Sequence, residues 1–502
     1  MIAKPVSFRL RKLFCAALLL VLCAGPVLCA DIAVYHTTDA HGFYFQRNIN
    51  GKETGGYAAL AAVLKKETLP YLLFDSGDFA AGSYDAAQSK GALSVDFINM
   101  LGYTALTIGN HEGDFGQAAF LKIIAGLKPD ILAANIYDAK TQTYPAGIKP
   151  YNIYEIAGKK IAVIGLAKDP LPQSPDIKTR RGAKELRKAL GEVKKQSPDV
   201  VILLYHGSAA DTLYASGAAF TQTLSKMPGL DLVLGGHAHK IVENLKINNV
   251  TFVESGADLK GASRVILTFN DNTGKLENIK SAYILLDIAK TGQDAAIKKF
   301  AAAHYNKEID APLGEIKETI RKYNPRAAEG AVDSPLGNLF TDILKEHTGA
   351  DIAMQNTEGI RADLPAGIAT KRMVFDIFPF QDKVMVIKAD GRLIKKLALK
   401  SLRKDRSLFQ YSGLTLKYRW VNDRPEITQI LINNKPLETK KVYTIAISDF
   451  NGLGNGEGYL FKDLPDKQFF GTKQLSDLLQ DYITNNKAGI SAPETGRLQR
   501  IP

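Results

Sequence analysis

Cysteine is nearly absent from this chain. Its three cysteines, Cys15, Cys23 and Cys29, all lie within the first thirty positions. Beyond residue 30 no disulfide framework and no thiolate metal site can form, so a bound metal must use oxygen and nitrogen ligands. Long apolar runs are scarce too. The single continuous one, Leu13 to Cys23, follows Lys4, Arg9, Arg11 and Lys12 and is followed by small residues. It is short for a membrane span and reads as a secretory signal with cleavage near Ala30. A secreted chain without cysteine fits a bacterial periplasm or exterior, with no stable membrane insertion after cleavage. Internal repeats and low-complexity tracts are absent. No basic stripe with interleaved aromatics is present, which argues against nucleic-acid binding.

The 502 residues are 45% hydrophobic and 23% charged, so the whole length can fold, and it is too long for one core. Two or three domains are predicted. The net charge of +12 falls to +8 without the four cations of the signal region. The remaining basic residues are dispersed in short pairs such as Lys65-Lys66 and Arg180-Arg181, which suits attraction of small anionic substrates.

From Asp31 to about residue 287, short β-branched runs alternate with helix-like segments. IAVYH, YLLFD, ALTIGN, DILAANI, KIAVIGL, VVILLYH, LDLVLGG and VTFVE are of strand length. Ala58–Glu67, Gly91–Leu101 and Gly182–Lys195 carry helical spacing. The alternation predicts an α/β domain with largely buried sheets. Residues 288–310 read as an amphipathic, alanine- and lysine-rich connector helix. Residues 311–502 read as a second α/β domain, with a helix near Gly337–Thr348 and strands near Val384–Ile387 and Tyr443–Ile447.

Polar clusters follow five of the strand-like runs. The stretch ALTIGNHEGD brings Asn110, His111, Glu112 and Asp114 together, and Gly109 is read as the point where the backbone bends sharply. Asp39 and His41 follow the first run, where an extended backbone would point both the same way. Asp78 follows the second, His206 follows VVILLY, and His237 and His239 follow LDLVL. Five of the 8 histidines fall at such strand ends, and in open α/β sheets strand-end loops converge on one crevice. Asp39, His41, Asp78, Asn110, His206, His237 and His239 are therefore candidate ligands for two divalent metal ions. Such ions clamp the attacking and leaving oxygens of a phosphoester, with a carboxylate bridging them. His111 would stabilise a phosphoryl oxygen and Asp114 would orient the imidazole. His36 is read as packing or as support behind the ligands, and His304 and His347 are given no role.

These motifs, in this order, resemble the metallophosphoesterase superfamily, and specifically the bacterial periplasmic 5′-nucleotidase/UDP-sugar hydrolase family. GNHEGDFG and GGHAH carry most of the resemblance, and the family's HTND-x-HG is present as HTTDAHG, with Thr38 in place of asparagine. The resemblance implies an N-terminal four-layer α/β/β/α metal domain, a linker helix and a C-terminal α/β substrate domain that swings to close. It implies one metal held by Asp39, His41 and His239, and a second held by Asn110, His206 and His237. Asp78 would bridge them, His111 and Asp114 would form the catalytic dyad, and activated water would attack without a covalent enzyme intermediate. Zinc or manganese suits these ligands. In the second domain Asn356-Thr357-Glu358-Gly359-Ile360-Arg361 resembles the N-x-G-G-I-R segment, making Asn356 and Arg361 substrate contacts. Phe380 and Phe450 would be the two faces of an aromatic clamp on a base.

Three departures from the family pattern fall in that second domain. The arginine that usually precedes Leu336-Gly337-Asn338-Leu339 is missing at its spacing, with Arg326 too far upstream. Asp382 stands where asparagine is common, and the G-G-D-G-Y loop has become Gly454-Asn455-Gly456-Glu457-Gly458-Tyr459, one residue longer. A secreted phosphoesterase releasing phosphate from nucleotides is the leading expectation. The alternatives are the same metal chemistry on a 2′,3′-cyclic nucleotide, a UDP-sugar or a sulfur ester, or a non-catalytic binding protein.

Overall fold

The computed structural model describes residues 31–49, 51–168, 174–209, 229–324, 332–403 and 407–501. The segment read as a signal, residues 1–30, and Arg326 lie outside the described residues. Among those described, no helix is long and apolar enough to cross a membrane.

Two sheets form the centre of the N-terminal half. In the first, Ile32–Thr37, Tyr71–Asp75, Ala105–Leu106, Asp130–Leu132 and Ile148–Lys149 run parallel, and Gly261–Phe269 and Leu276–Leu285 extend it antiparallel. In the second, Lys159–Leu166, Val200–Tyr205, Leu232–Gly235 and Val250–Ser255 are parallel, with antiparallel edges Tyr151–Ile156 and Ile241–Ile247. Side-chain alternation along the strands decides the layering. Ile32, Val34 and Phe74 of the first sheet pack against Val163, Ile202 and Leu234 of the second. Ala33, Tyr35 and Leu73 face the other way, onto helices Tyr57–Leu64, Ala92–Leu101 and Gln117–Gly126. Ile164 and Leu203 of the second sheet face helix Gly182–Lys194. The result is helix, sheet, sheet, helix, as the family resemblance implies. The apolar runs are continuous because both faces of each central strand are covered.

The connector carries its main helix at Ala295–His304, preceded by a single turn, Ile288–Thr291. Gly292, at φ 73, separates them, and Asp294 caps the second by accepting from Ala296 N and Ile297 N. Ala295–His304 belongs to the core of the first half through Ile297 and Ala301. The C-terminal half has a five-stranded mixed sheet in the order Phe409–Ser412, Ile352–Asn356, Val442–Ser448, Lys383–Asp390, Lys467–Gln474. Beside it stands a four-stranded sheet built on the hairpin Leu414–Val421 and Arg424–Ile432. The expected helix and strands appear as Pro335–Thr348, Lys383–Asp390 and Val442–Ser448.

One arginine ties the halves together. Arg372, on helix Lys371–Ile377, donates to Asp85 of the first half, to Asp310 at 2.8 Å and to Asn306 O at 2.7 Å, and its guanidinium lies 4.4 Å from the Tyr305 ring centroid. Asp85 is buried, and removing one partner of a buried pair leaves a desolvated charge. R372A should therefore cost about 3 kcal/mol in a denaturant melt. The double variant D85N/R372M, which leaves no buried charge unpaired because Asp310 is partly exposed, should recover most of that loss. Equal losses in the two proteins would show that the cost does not come from an orphaned Asp85 charge.

Candidate metal centre and substrate cleft

The loops leaving Ile32–Thr37, Tyr71–Asp75, Ala105–Leu106, Val200–Tyr205 and Leu232–Gly235 meet at one edge of the two central sheets. Two groups of potential ligand atoms lie there: Asp39, His41 and His239, and Asp78, His206 and His237. Within each group the atoms are within 4.8 Å of one another. All six of these predicted positions are thus brought together, and His206 and His237 rings lie 5.3 Å apart.

Local geometry differs from the extended strand ends expected. Asp39 and His41 do not converge by β alternation. Both adopt left-handed backbone, φ 51 and 49, in a turn after the strand, and Asp78, His237 and His239 do the same at 59, 74 and 57. Such φ values are costly for residues other than glycine and cluster at functional sites. Gly109 does not take positive φ. Its role is steric: a Cβ there would lie 2.1 Å from Asp78 Oδ1.

Second contacts set the imidazole tautomers. His41 Nδ1 lies 2.8 Å from Ala81 O and His206 Nδ1 lies 2.6 Å from Ser76 O. In each ring Nδ1–H donates to a carbonyl, which leaves Nε2 as the lone-pair nitrogen, the arrangement a metal ligand needs. His36 is buried between Ser76 and Ser255 hydroxyls, a packing role as expected. Three candidate ligand atoms, Asp39 Oδ1, Asn110 Oδ1 and His206 Nε2, are buried without a hydrogen-bond partner. Native proteins rarely leave such atoms unpaired, and here all three are donor atoms for a cation. The ligand set fits divalent metal.

Electrostatics agree. Burial pushes the Asp78 carboxyl up, but His206 and His111 prevail and hold it well below the usual range. Asp39 is also lowered, its neighbours His239 and His206 outweighing burial. Burial, then His239, lowers His41 to about 3, and burial, then His206, lowers His237 to about 4. Burial disfavours charge on His206 as well, yet Asp78, 3.0 Å away, raises it to about 10. Two ionised carboxylates and the neutral imidazoles of His41 and His237 suit a cation, and the proton that Asp78 holds on His206 is the one a metal would displace.

His111 Nδ1 lies 2.7 Å from Asp114 Oδ2. Burial opposes its charge, but Asp114 and Asp78 prevail and push it up to about 9. With Nδ1 engaged, Nε2 is the nitrogen free to meet a substrate oxygen. The other half of the chain reaches this point: Phe380 stacks on His111 at 5.5 Å and 17°, and Arg361 Nη2 lies 3.4 Å from His41 Nε2 and 3.3 Å from His239 Nε2. Arg361 also lies 5.9 Å from the Phe380 ring centroid. Asn356 is turned toward the lengthened loop, donating to Glu457 Oε2 at 3.3 Å. Phe450 is exposed beside Gly456. Among the described residues no direct ring contact joins Phe380 to Phe450. Asp382, the residue at the asparagine position, is pushed up to about 7 by burial, with Asp449 and Asp114 adding.

Two residues escaped the sequence argument. Glu112, grouped with its neighbours but given no role, is fully buried at the centre of the loops. Its place inside ALTIGNHEGD was the available signal. Arg372 carried none, because a lone helical arginine looks the same on a solvated face.

This arrangement of two face-packed sheets with clustered Asp, His and Asn at their strand ends is that of a calcineurin-like phosphoesterase, and residues 32–241 match that family. Residues 312–463 match the 5′-nucleotidase C-terminal domain. Protein UshA of Yersinia enterocolitica is 25% identical over 483 residues, covering 86% of each chain. The structure of a 5′-nucleotidase precursor from Thermus thermophilus superposes with a TM-score of 0.80 at 22% identity, covering 94% of this chain and 99% of that one. The sulfate thiohydrolase SoxB of Thermus thermophilus has the same fold, with a TM-score of 0.79 at 15% identity over 94% of this chain and 97% of that one. The chain belongs to the 5′-nucleotidase family and is a metal-dependent phosphoester hydrolase.

Proposed function

We propose that this protein is a secreted two-metal phosphoesterase that releases phosphate from 5′-nucleotides. The observation carrying this reading is the pair of ligand groups flanked by the His111–Asp114 pair, with Arg361 of the second half reaching the same point. Asp39, His41 and His239 would hold one divalent ion, Asn110, His206 and His237 the other, and Asp78 both. Bound zinc or manganese would polarise the phosphoryl group and lower the pKa of the attacking water. Asp114 holds the His111 ring so that its Nε2 can donate to the phosphoryl or leaving oxygen. Arg361 offers a planar fork to phosphate. Asn356, Phe380 and Phe450 would line the rest of the substrate cleft. Secretion rests on the basic and apolar pattern of residues 1–30. The division into residues 31–287, 288–310 and 311–502 belongs to the same proposal.

A second reading keeps the metal chemistry and changes the substrate to a cyclic nucleotide, a UDP-sugar or a sulfur ester. It is favoured by Phe380 stacking on His111 and by Glu457 occupying the Asn356 amide. The test is product release by the purified protein with Mn²⁺ or Zn²⁺ on AMP, UDP-glucose, a 2′,3′-cyclic nucleotide, an aryl phosphate and an aryl sulfate. Preference for AMP over the aryl phosphate is expected. Activity on the aryl ester alone would discard the nucleotide assignment, and no hydrolysis of any ester would leave a binding protein.

A further inference from the structure

A buried carboxylate normally meets a cation or coordinates a metal. Among the described residues Glu112 pairs with no cation and belongs to neither ligand group, and it is 0% exposed. Its four described hydrogen bonds all come from backbone. Oε1 accepts from Phe79 N at 2.8 Å and Ala80 N at 3.1 Å, and Oε2 accepts from Asp78 N at 3.0 Å and Gly109 N at 2.7 Å. Three of these donors lie on the loop after strand Tyr71–Asp75 and the fourth on the loop after Ala105–Leu106. The first of those loops carries Asp78 and the second carries Asn110.

The clamp is reciprocal. While Glu112 takes the Asp78 N–H, Asp78 Oδ1 accepts the His111 N–H at 2.7 Å. The two loops are thereby crossed by bonds in both directions, and the left-handed Asp78 backbone is held by the residues around it. A side chain at position 109 would break this approach, since a Cβ there would lie 2.6 Å from Asp78 N. The carboxylate has acceptors on both oxygens, which four N–H donors require. An amide of the same shape turns one oxygen into a donor and sets it against two N–H groups.

We propose that Glu112 is a positioning residue for the metal centre: it fixes Asp78 relative to Asn110 and His111 through four backbone N–H groups, without touching metal or substrate. The inference rests on the metal reading above. Loss of such outer contacts typically lowers metal affinity 10–100-fold.

The deciding experiment compares wild type, E112Q and E112D by chelator competition for Mn²⁺, by the visible spectrum of the Co²⁺-loaded protein and by thermal melting without metal. E112Q should fold and bind Mn²⁺ at least about 10-fold more weakly, with a changed Co²⁺ spectrum. E112D keeps the charge but is one methylene shorter, so it should lose affinity in the same direction. Wild type that binds no divalent ion would refute the metal reading itself. A folded E112Q with wild-type affinity and spectrum would overturn the role given to Glu112 alone. Should E112Q fail to fold, E112D decides by the same criterion. Failure of both to fold would make Glu112 a requirement of the fold and would equally overturn the proposal.

Discussion

Asp78→Asn is expected to abolish most hydrolysis and to reduce bound metal, with the fold intact. Asp78 is buried, its Oδ1 holds the His111 amide, and its Oδ2 faces His206 Nε2. The amide removes one negative charge from a pocket whose other ionised carboxylate is Asp39. It also places a donor where either a cation or the His111 N–H must be met. Metal-ion stabilisation of a phosphoryl transition state is worth several kcal/mol, and each 1.36 kcal/mol is tenfold in rate. The expected loss in kcat/KM is therefore on the order of 10³-fold or more. Metal analysis alongside phosphate release checks it, with a thermal melt to show that the variant is folded. A D78N protein with full metal and full activity would remove Asp78 from the centre.

His111→Ala should separate chemistry from metal binding. The ring contributes no atom to either ligand group, so metal content should stay at the wild-type level. What disappears is a cation held by Asp114 and Asp78 at the mouth of the site, together with the surface on which Phe380 stacks. Acid–base groups of this kind typically contribute about 10²–10⁴-fold, and the fall should appear in kcat. Asp114→Asn should give a smaller loss, because the imidazole remains but its Nδ1 partner is no longer a carboxylate. Single-turnover rates with saturating metal measure both. If H111A lost metal in proportion to activity, the ring would be supporting the metal loops, and its assignment as the group meeting substrate would fall.

The metal-centre candidates were legible because each lies in a short polar cluster directly after a strongly patterned strand. Burial on both faces makes Ile32–Thr37, Tyr71–Asp75 and Val200–Tyr205 continuous apolar runs, so their ends, and the residues at those ends, can be counted off the sequence. Turn conformation was not legible in the same way. Asp39 and His41 suit an extended pair as well as two left-handed residues, and the turn is held by contacts from other loops, with Asp39 N donating to Gly77 O and His41 N to Asp78 O. Gly109 could be singled out in the sequence, but its close approach to Asp78 is visible only in the structure. In the second half, the resemblance suggests Phe380 as one face of a clamp on a base, and only the structure places its ring against His111 of the first half.

The sequence by itself determined the strand order of chemistry: which residue types lie at which strand ends, the absence of thiolate ligands beyond residue 30, and the two-part α/β organisation. These are local properties, carried by periodicity and by residue identity. Only the tertiary structure decided which ligands share a group, how Glu112 crosses from one loop to the next, and which side chains of the second half meet the metal centre. Those are relations between segments far apart in the chain, fixed by the packing of two sheets on one core and by a few interdomain contacts such as those of Arg372. No local pattern encodes them.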